Sequence, residues 1–301
     1  MKQWISKIFI ILLFVVGFGF LTYPTISNEW NTYVQSRLIN NYVDSVSNMT
    51  ESDYSAELQV AENFNSKITS NDIGQDVFNT GDTGNDAIPT EKFYESEYYS
   101  VLNVNGDGIM GYLSIPKINL KLSIVHGTFD EDLQKALGHM NGTALPIGGP
   151  GTHSVIAGHR GLPTAELFSD LDQMQIGDKF YIHVLNNTLA YEVDKISPMI
   201  PEEDLESLSE AVAVENGKDY VTLFTCTPYG INTHRLLIRG TRIEYLGEDE
   251  VPKGADAVVD TVKNYYLAFT IAGIILVIII INIIRLINRK KQSETVDKAG
   301  L

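Results

Sequence analysis

Apolar positions recur along this chain in distinct rhythms, and each rhythm predicts a different kind of element. Two uncharged apolar runs sit near the ends: Ile8 to Tyr23, preceded by Lys2 and Lys7, and YYLAFTIAGIILVIIIINII from Tyr265 to Ile284. About 20 helical residues at ~1.5 Å each match a hydrocarbon core of ~30 Å. The second run therefore predicts a transmembrane helix over 265–285. The first fits a secretory signal or a signal anchor; with no small-residue cleavage site after it, a retained anchor over 1–24 is the expectation. After that anchor, Trp30, Val34, Leu38, Tyr42 and Val46 recur every fourth residue, and a second amphipathic piece runs from Ser52 to Ile68. Both fit helices, so 25–68 reads as an N-terminal helical region. Residues 69–90 carry Gly, Asp, Asn and Thr without a period and read as a long surface loop.

From Gly111 the rhythm shortens to β-type runs: GYLSI, LSIVHG, HSVIAG, KFYIHVL, LAYEVDKI, YVTLFT and HRLLIRGTRI. Asn186-Asn187 is placed to turn a hairpin between the fourth and fifth. Many short strands punctuated by Gly, Pro and Asn predict a mainly β fold, a closed β-barrel within 91–247. Helical insertions are expected at Asp130–Leu137 and Thr164–Met174, each opening on a cap-type residue. Residues 248–264 read as a linker and 286–301 as a basic tail.

Charge sharpens the topology. The 301 residues hold 22 basic and 38 acidic side chains, a net charge of -16, at 44% hydrophobic content, which excludes a disordered or collagen-like chain. The stretch from Pro24 to Asn264 carries 15 bases against 36 acids. A body this acidic repels phosphate backbones, so no nucleic-acid partner is expected. Arg285, Arg289, Lys290 and Lys291 crowd the end of the second apolar run, which puts the tail in the cytoplasm, the body outside and both termini inside. The chain has one cysteine, Cys226, excluding an internal disulfide framework. No phosphate loop and no metal-ligand spacing among the six histidines is present, and no cofactor or metal is expected.

The chemistry gathers in YVTLFTCTPYGINTHRLLIRG. Cys226 ends an apolar strand and Arg235 begins the next, so the two meet on neighbouring strand ends. A cationic neighbour increases the thiolate fraction of a cysteine, and a guanidinium can also donate to an oxyanion. Acyl transfer needs in addition a group to protonate the departing amine. His159, in the Gly158-His159-Arg160-Gly161 turn after HSVIAG, is the best placed histidine. His234 is its rival, although strand alternation points it away from the face of Arg235. His126, His139, His153 and His183 read as ordinary surface or hydrogen-bonded residues. Arg239 fits equally a second cation at the site and a barrel charge, and Cys226 taken alone also fits a small core residue.

Thr222-Leu223-Phe224-Thr225-Cys226 resembles the TLxTC active-site motif of sortases, the cysteine transpeptidases of Gram-positive cell surfaces, and HSVIAGHRGLP resembles their histidine-bearing segment. The resemblance covers roughly Gly111 to Glu244, and the continuation Thr-Pro-Tyr-Gly-x-Asn-Thr-His-Arg together with the C-terminal apolar run is most like class C, the pilus-building sortases. It implies an eight-stranded sortase barrel with Cys226, His159 and Arg235 catalytic and Thr225, Tyr229 and Asn232 as substrate-groove candidates. The implied reaction cleaves an LPxTG-like sorting signal between Thr and Gly through a thioester and passes the acyl group to a pilin lysine. It requires no cofactor. Class C members also carry a lid whose Asp-Pro-aromatic motif covers the cysteine; Asp76-Val77-Phe78 matches it without the proline. Three alternatives stand beside this reading: a sortase that attaches single proteins to a cell-wall amine, a cysteine protease, and an inactive membrane-tethered binding module.

Overall fold

A computed structural model describes residues 2–68 and 90–249. Helix α1 runs from Lys2 to Ser47, through Pro24 without a break, so the expected boundary between anchor and helical region is not a boundary in the backbone. Among the described residues no helix is long and apolar enough to cross a membrane. The side chains of residues 2–12 and the whole of the second apolar run lie outside the described residues. Helix α2 (Glu51–Asn65) opens on a capping box, in which Thr50 Oγ1 accepts from the Asp53 amide and the Asp53 carboxylate accepts from that of Thr50.

The face α1 buries is not the strict four-residue ladder read from the sequence. Gln35, Ile39, Tyr42 and Val46 are buried, at alternating spacings of four and three, while Trp30 is 51% exposed. A helix turns by about 100° per residue, so each four-residue step drifts ~40° off the stripe. Four such steps carry Trp30 round to solvent. Two polar anchors then fix α1 on the strands beneath it. Gln35 Oε1 accepts from the Ser123 amide and hydroxyl, both at 2.8 Å, and Gln35 Nε2 donates to the Lys135 carbonyl. The Tyr42 hydroxyl donates to the Met110 carbonyl at 3.1 Å and accepts from the Leu185 amide at 2.8 Å.

Eight strands close into a barrel: β1 (Ile109–Ile115), β2 (Leu120–His126), β3 (Leu137–His139), β4 (Thr152–Ala157), β5 (Lys179–Val184), β6 (Asn187–Pro201), β7 (Asp219–Thr227) and β8 (His234–Ile243). Their order around the barrel is β1-β2-β3-β4-β7-β8-β6-β5, with β5 antiparallel to β1 at the seam. Two pairs, β2 with β3 and β4 with β7, are parallel. Inward side chains such as Leu113, Ile124, Ile156, Leu223 and Ile238 are fully buried. Helix α6 (Leu205–Ala211) packs Leu208 and Ala211 on Val155, Phe224 and Leu237, outside the same strands. Cover on both faces is why β7 reads as the nearly continuous apolar run YVTLFT rather than an alternating one.

Three expectations are corrected. The helix at Asp130–Leu137 is a single turn, α5 (Asp130–Leu133), and its end becomes β3, a strand absent from the sequence reading. A Cβ on Gly138 would lie 2.2 Å from the Gly127 carbonyl oxygen, so this stretch of chain fits only as a bare backbone laid against the end of β2. Thr164–Met174 forms turns and one 3-10 turn (Leu171–Gln173) instead of a helix. The β5–β6 turn centres on Leu185-Asn186, one residue earlier than expected, with Leu185 at φ 51°. The bond from the Leu185 amide to Tyr42 holds that turn in place, a tertiary contact that no local turn preference contains. Helix α6, capped by the Asp204 side chain on the Ser207 amide, was not anticipated. The remaining short helices are α3 (Thr90–Tyr94) and α4 (Glu97–Ser100).

His126, His139, His153 and His183 are all buried and hydrogen-bonded. Burial lowers the pKa of His139 to about 3 and those of His153 and His183 to about 4. A folded pKa below the ordinary 6.5 means that the unfolded chain binds more protons, so stability is whole above about pH 6.5 and falls as the pH drops towards 4. Thermal melts at pH 7.5 and pH 5 should show a large loss at the lower pH, with unfolding at pH 5 taking up protons at these three sites. Tyr42→Phe, which strips a buried amide and a buried carbonyl of their partner, should cost about 2 kcal/mol in denaturant melts.

Candidate active site

Strand register assembles the site. In the antiparallel β7–β8 pair Cys226 lies directly opposite Arg235 and Thr227 opposite His234. In the parallel β4–β7 pair Ala157 lies beside Phe224. The Gly158 amide donates to the Phe224 carbonyl at 3.1 Å, and Thr225 Oγ1 donates to the Gly158 carbonyl at 2.6 Å. Continued by two residues, this register brings His159 to the level of Cys226. Thiol, imidazole and guanidinium thus sit on or just beyond the ends of three adjacent strands, at one rim of the barrel.

Each group has a defined electrostatic setting. Cys226 is half-buried; burial pushes its thiol up, the Arg235 charge opposes that rise, and the Glu202 charge adds to it. His159, with its side chain 29% exposed, has Nε2 3.2 Å from Asp130 Oδ1 at the start of α5. Arg235 is 12% exposed: Nη1 donates to the Asn232 and His234 carbonyls, at 2.9 and 3.2 Å, and Nη2 lies 2.8 Å from Glu202. A thiol, an imidazole oriented by a carboxylate and a guanidinium facing the thiol's strand are a set suited to acyl transfer.

The other expected site residues separate. Thr225 is buried with its hydroxyl committed to Gly158, so it holds the histidine segment and offers no groove surface. Tyr229 is exposed, and Asn232, in the left-handed region at φ 63°, presents its carbonyl to Arg235. His234 Nδ1 bonds Thr233 Oγ1. Arg239 pairs opposite Thr222, four residues or about 13 Å along the strand from Cys226. There it bonds Asp194 and Glu215 and lies over the Tyr220 ring, which resolves it as a barrel charge. Asp76 and Phe78 lie outside the described residues. No group of three or more His, Cys, Asp or Glu side chains that could hold a metal is present among the described residues.

Three residues were missed by sequence reasoning. Asp130 and Glu202 come from segments 96 and 24 residues before Cys226 in the chain, with no motif linking them to it. Arg160 carried a signal, its place beside His159 in the Gly-bounded turn. It is buried, with Nη1 donating to Thr227 Oγ1 at 3.1 Å, Nε to the Ser169 carbonyl at 3.2 Å, and an ion pair to Asp172. It ties the histidine turn to the residue after the cysteine. Beside it a cleft of ≈ 830 Å³ opens between α1 and the turn, with Asn28, Glu29, Leu162 and Tyr229 in its wall.

Comparison with known proteins gives a consistent picture. The family model described as the sortase domain matches residues 113–243. Sortase C1 of Streptococcus agalactiae, a crystal structure, is 43% identical, covers 70% of this chain and 100% of its own, and superimposes with a TM-score of 0.58. The pilus-related sortase C of Group B Streptococcus is 34% identical over 68% of this chain and 97% of its own, with a TM-score of 0.57. Sortase A of Bacillus anthracis is 26% identical over 159 residues, 51% of this chain and 70% of that protein.

The histidine segment leaves no room behind it. A Cβ on Gly158 would lie 2.7 Å from both Leu137 Cδ2 and the Phe168 ring. Gly158→Ala should therefore push His159 off the rim: overpacking of this kind costs about 1–3 kcal/mol. Substrate turnover should fall further than the melting curve implies, which paired activity and denaturation measurements on the variant would show.

Proposed function

The chain belongs to the sortase family, and on that premise we propose that it is a membrane-anchored, class C cysteine transpeptidase that joins pilin subunits. The observation that carries this reading is the convergence of Cys226, His159 and Arg235 at one barrel rim by strand register. The likeness to streptococcal sortase C structures, one of them described as pilus-related, supports the pilin role. The apolar runs at 8–23 and 265–284, with the basic residues beyond them, support the two-ended anchor and an extracellular barrel.

The mechanism follows from the settings of the groups. With its pKa raised, Cys226 is a thiol at neutral pH, so its proton must leave as the sulfur attacks. His159, its Nε2 held by Asp130, takes that proton on Nδ1. The sulfur adds to the threonine carbonyl of an LPxTG-like signal, and an Arg235 N–H donates to the oxygen that gains charge. The imidazolium returns the proton to the glycine nitrogen as the C–N bond breaks, leaving a thioester on Cys226. A lysine amine of the next pilin then attacks the thioester; His159 takes the amine's proton, the isopeptide bond forms and the thiol is regenerated. No step requires a metal or an organic cofactor. Asp76 and Phe78, in the acidic loop ahead of the barrel, would cover Cys226 between turnovers.

Intact mass spectrometry tests the reading. Incubation with an LPxTG-type peptide should add the mass of the peptide's acyl part to the chain, and Cys226→Ala should abolish the adduct. A lysine-bearing pilin peptide should discharge it faster than a cell-wall stem peptide or water does. Deletion of residues 69–89 should speed adduct formation by an order of magnitude if the loop acts as a lid. Absence of any adduct while Cys226 remains open to alkylation would overturn the transpeptidase assignment, and preference for the stem peptide would overturn the pilin role.

A further inference from the structure

The guanidinium that faces Cys226 is not free. Of the described charged groups around the thiol, His234 and Arg235 come from β8, His159 and Arg160 from the turn after β4, with Asp130 behind His159, and Glu202 from the chain just after β6. Glu202 is the one anionic group among them that touches Arg235, at 2.8 Å from Nη2. Its position is built by backbone pairing. In the β6–β8 pair Ile200 lies opposite Arg235 and Pro201 opposite His234, and the Glu202 amide then donates to the Thr233 carbonyl at 3.2 Å. The carboxylate and the guanidinium it meets are thus carried on the same two paired segments. The Arg235 side chain is 12% exposed and that of Glu202 48%, so the pair is drier than an ordinary surface ion pair on its arginine side.

We infer that Glu202 is a positioning residue for Arg235, pinning the guanidinium at the rim for the oxyanion while drawing part of its charge away from Cys226. The two effects act in opposite directions on two different observables. With Glu202 in place, Arg235 is oriented for acyl transfer but stabilises the resting thiolate less than an unpaired guanidinium would. In the free site this favours the thiol, the less reactive form towards adventitious electrophiles. The direct charge of Glu202 near the sulfur works in the same sense. The inference rests on the assignment of Cys226 and Arg235 as the reacting pair, not on the identity of the sorting signal.

Glu202→Gln and Glu202→Asp in the full chain, each checked by thermal melting, test it through two readouts. Alkylation of Cys226 by iodoacetamide, followed against pH, should shift to a lower midpoint in Glu202→Gln and run several-fold faster at pH 7. Acyl-enzyme formation with an LPxTG-type peptide should slow several-fold in the same variant. Glu202→Asp should keep the parent's alkylation midpoint, because it keeps the charge. A merely structural role would slow both reactions together or leave the midpoint in place. An unchanged midpoint in a folded Glu202→Gln variant, or the same shift in Glu202→Asp, would overturn the inference. Alkylation needs no peptide, so the effect of Glu202 on the thiol is read even where the transpeptidase reading fails.

Discussion

The parallel pairing of β4 with β7 is the constraint on which the site depends. Parallel neighbours advance in step, so the ends of the two strands arrive at the same rim, and the residues just past those ends face a common space. His159 follows β4 and Cys226 lies near the end of β7, so one register sets both at the same rim. The bonds from the Gly158 amide to Phe224 and from the Thr225 hydroxyl to Gly158 carry that register past the last ladder pair. The antiparallel β7–β8 pair then adds Arg235 opposite the cysteine. β7 is buried on both faces, by the barrel interior and by α6, so Cys226 is carried on a strand packed from two sides.

Around this frame, charged groups are held by partners from elsewhere in the chain. Asp130 takes one imidazole nitrogen of His159, Glu202 takes one end of Arg235, and Arg160 spans from the histidine turn to Thr227. Their common effect is to fix rotamers in a region that opens to solvent, where long polar side chains otherwise lose their orientation to entropy. The half-buried thiol follows from the same architecture. A position deep enough to be held by its neighbours is dry enough to raise the pKa of the thiol.

Away from the rim, the buried histidines show how the same residue type divides by environment. His126, His139, His153 and His183 sit inside, bonded to carbonyls and hydroxyls and kept neutral by burial. His159, at a turn beyond a strand end, keeps solvent and a carboxylate beside it. Tertiary position, more than local sequence, separates a packing histidine from one left at the rim.

The rhythms of the chain by themselves determined the class of the fold, because side-chain alternation and turn residues act locally. Seven of the eight strands were legible, and the TLFTC run with His159 and Arg235 marked the rim. Tertiary structure decided the rest. β3 is three residues long and exists only where Gly138 can pass close to Gly127, and within Thr164–Met174 the Ser169 carbonyl accepts a bond from Arg160 Nε. The buried stripe of α1 follows the 3.6-residue turn, which an exact fourfold count overruns. Asp130 and Glu202 stayed hidden for a plainer reason: an exposed carboxylate far away in the chain looks like any other in an acidic protein, and it acquires a role only when closure of the barrel sets it against a particular histidine or arginine.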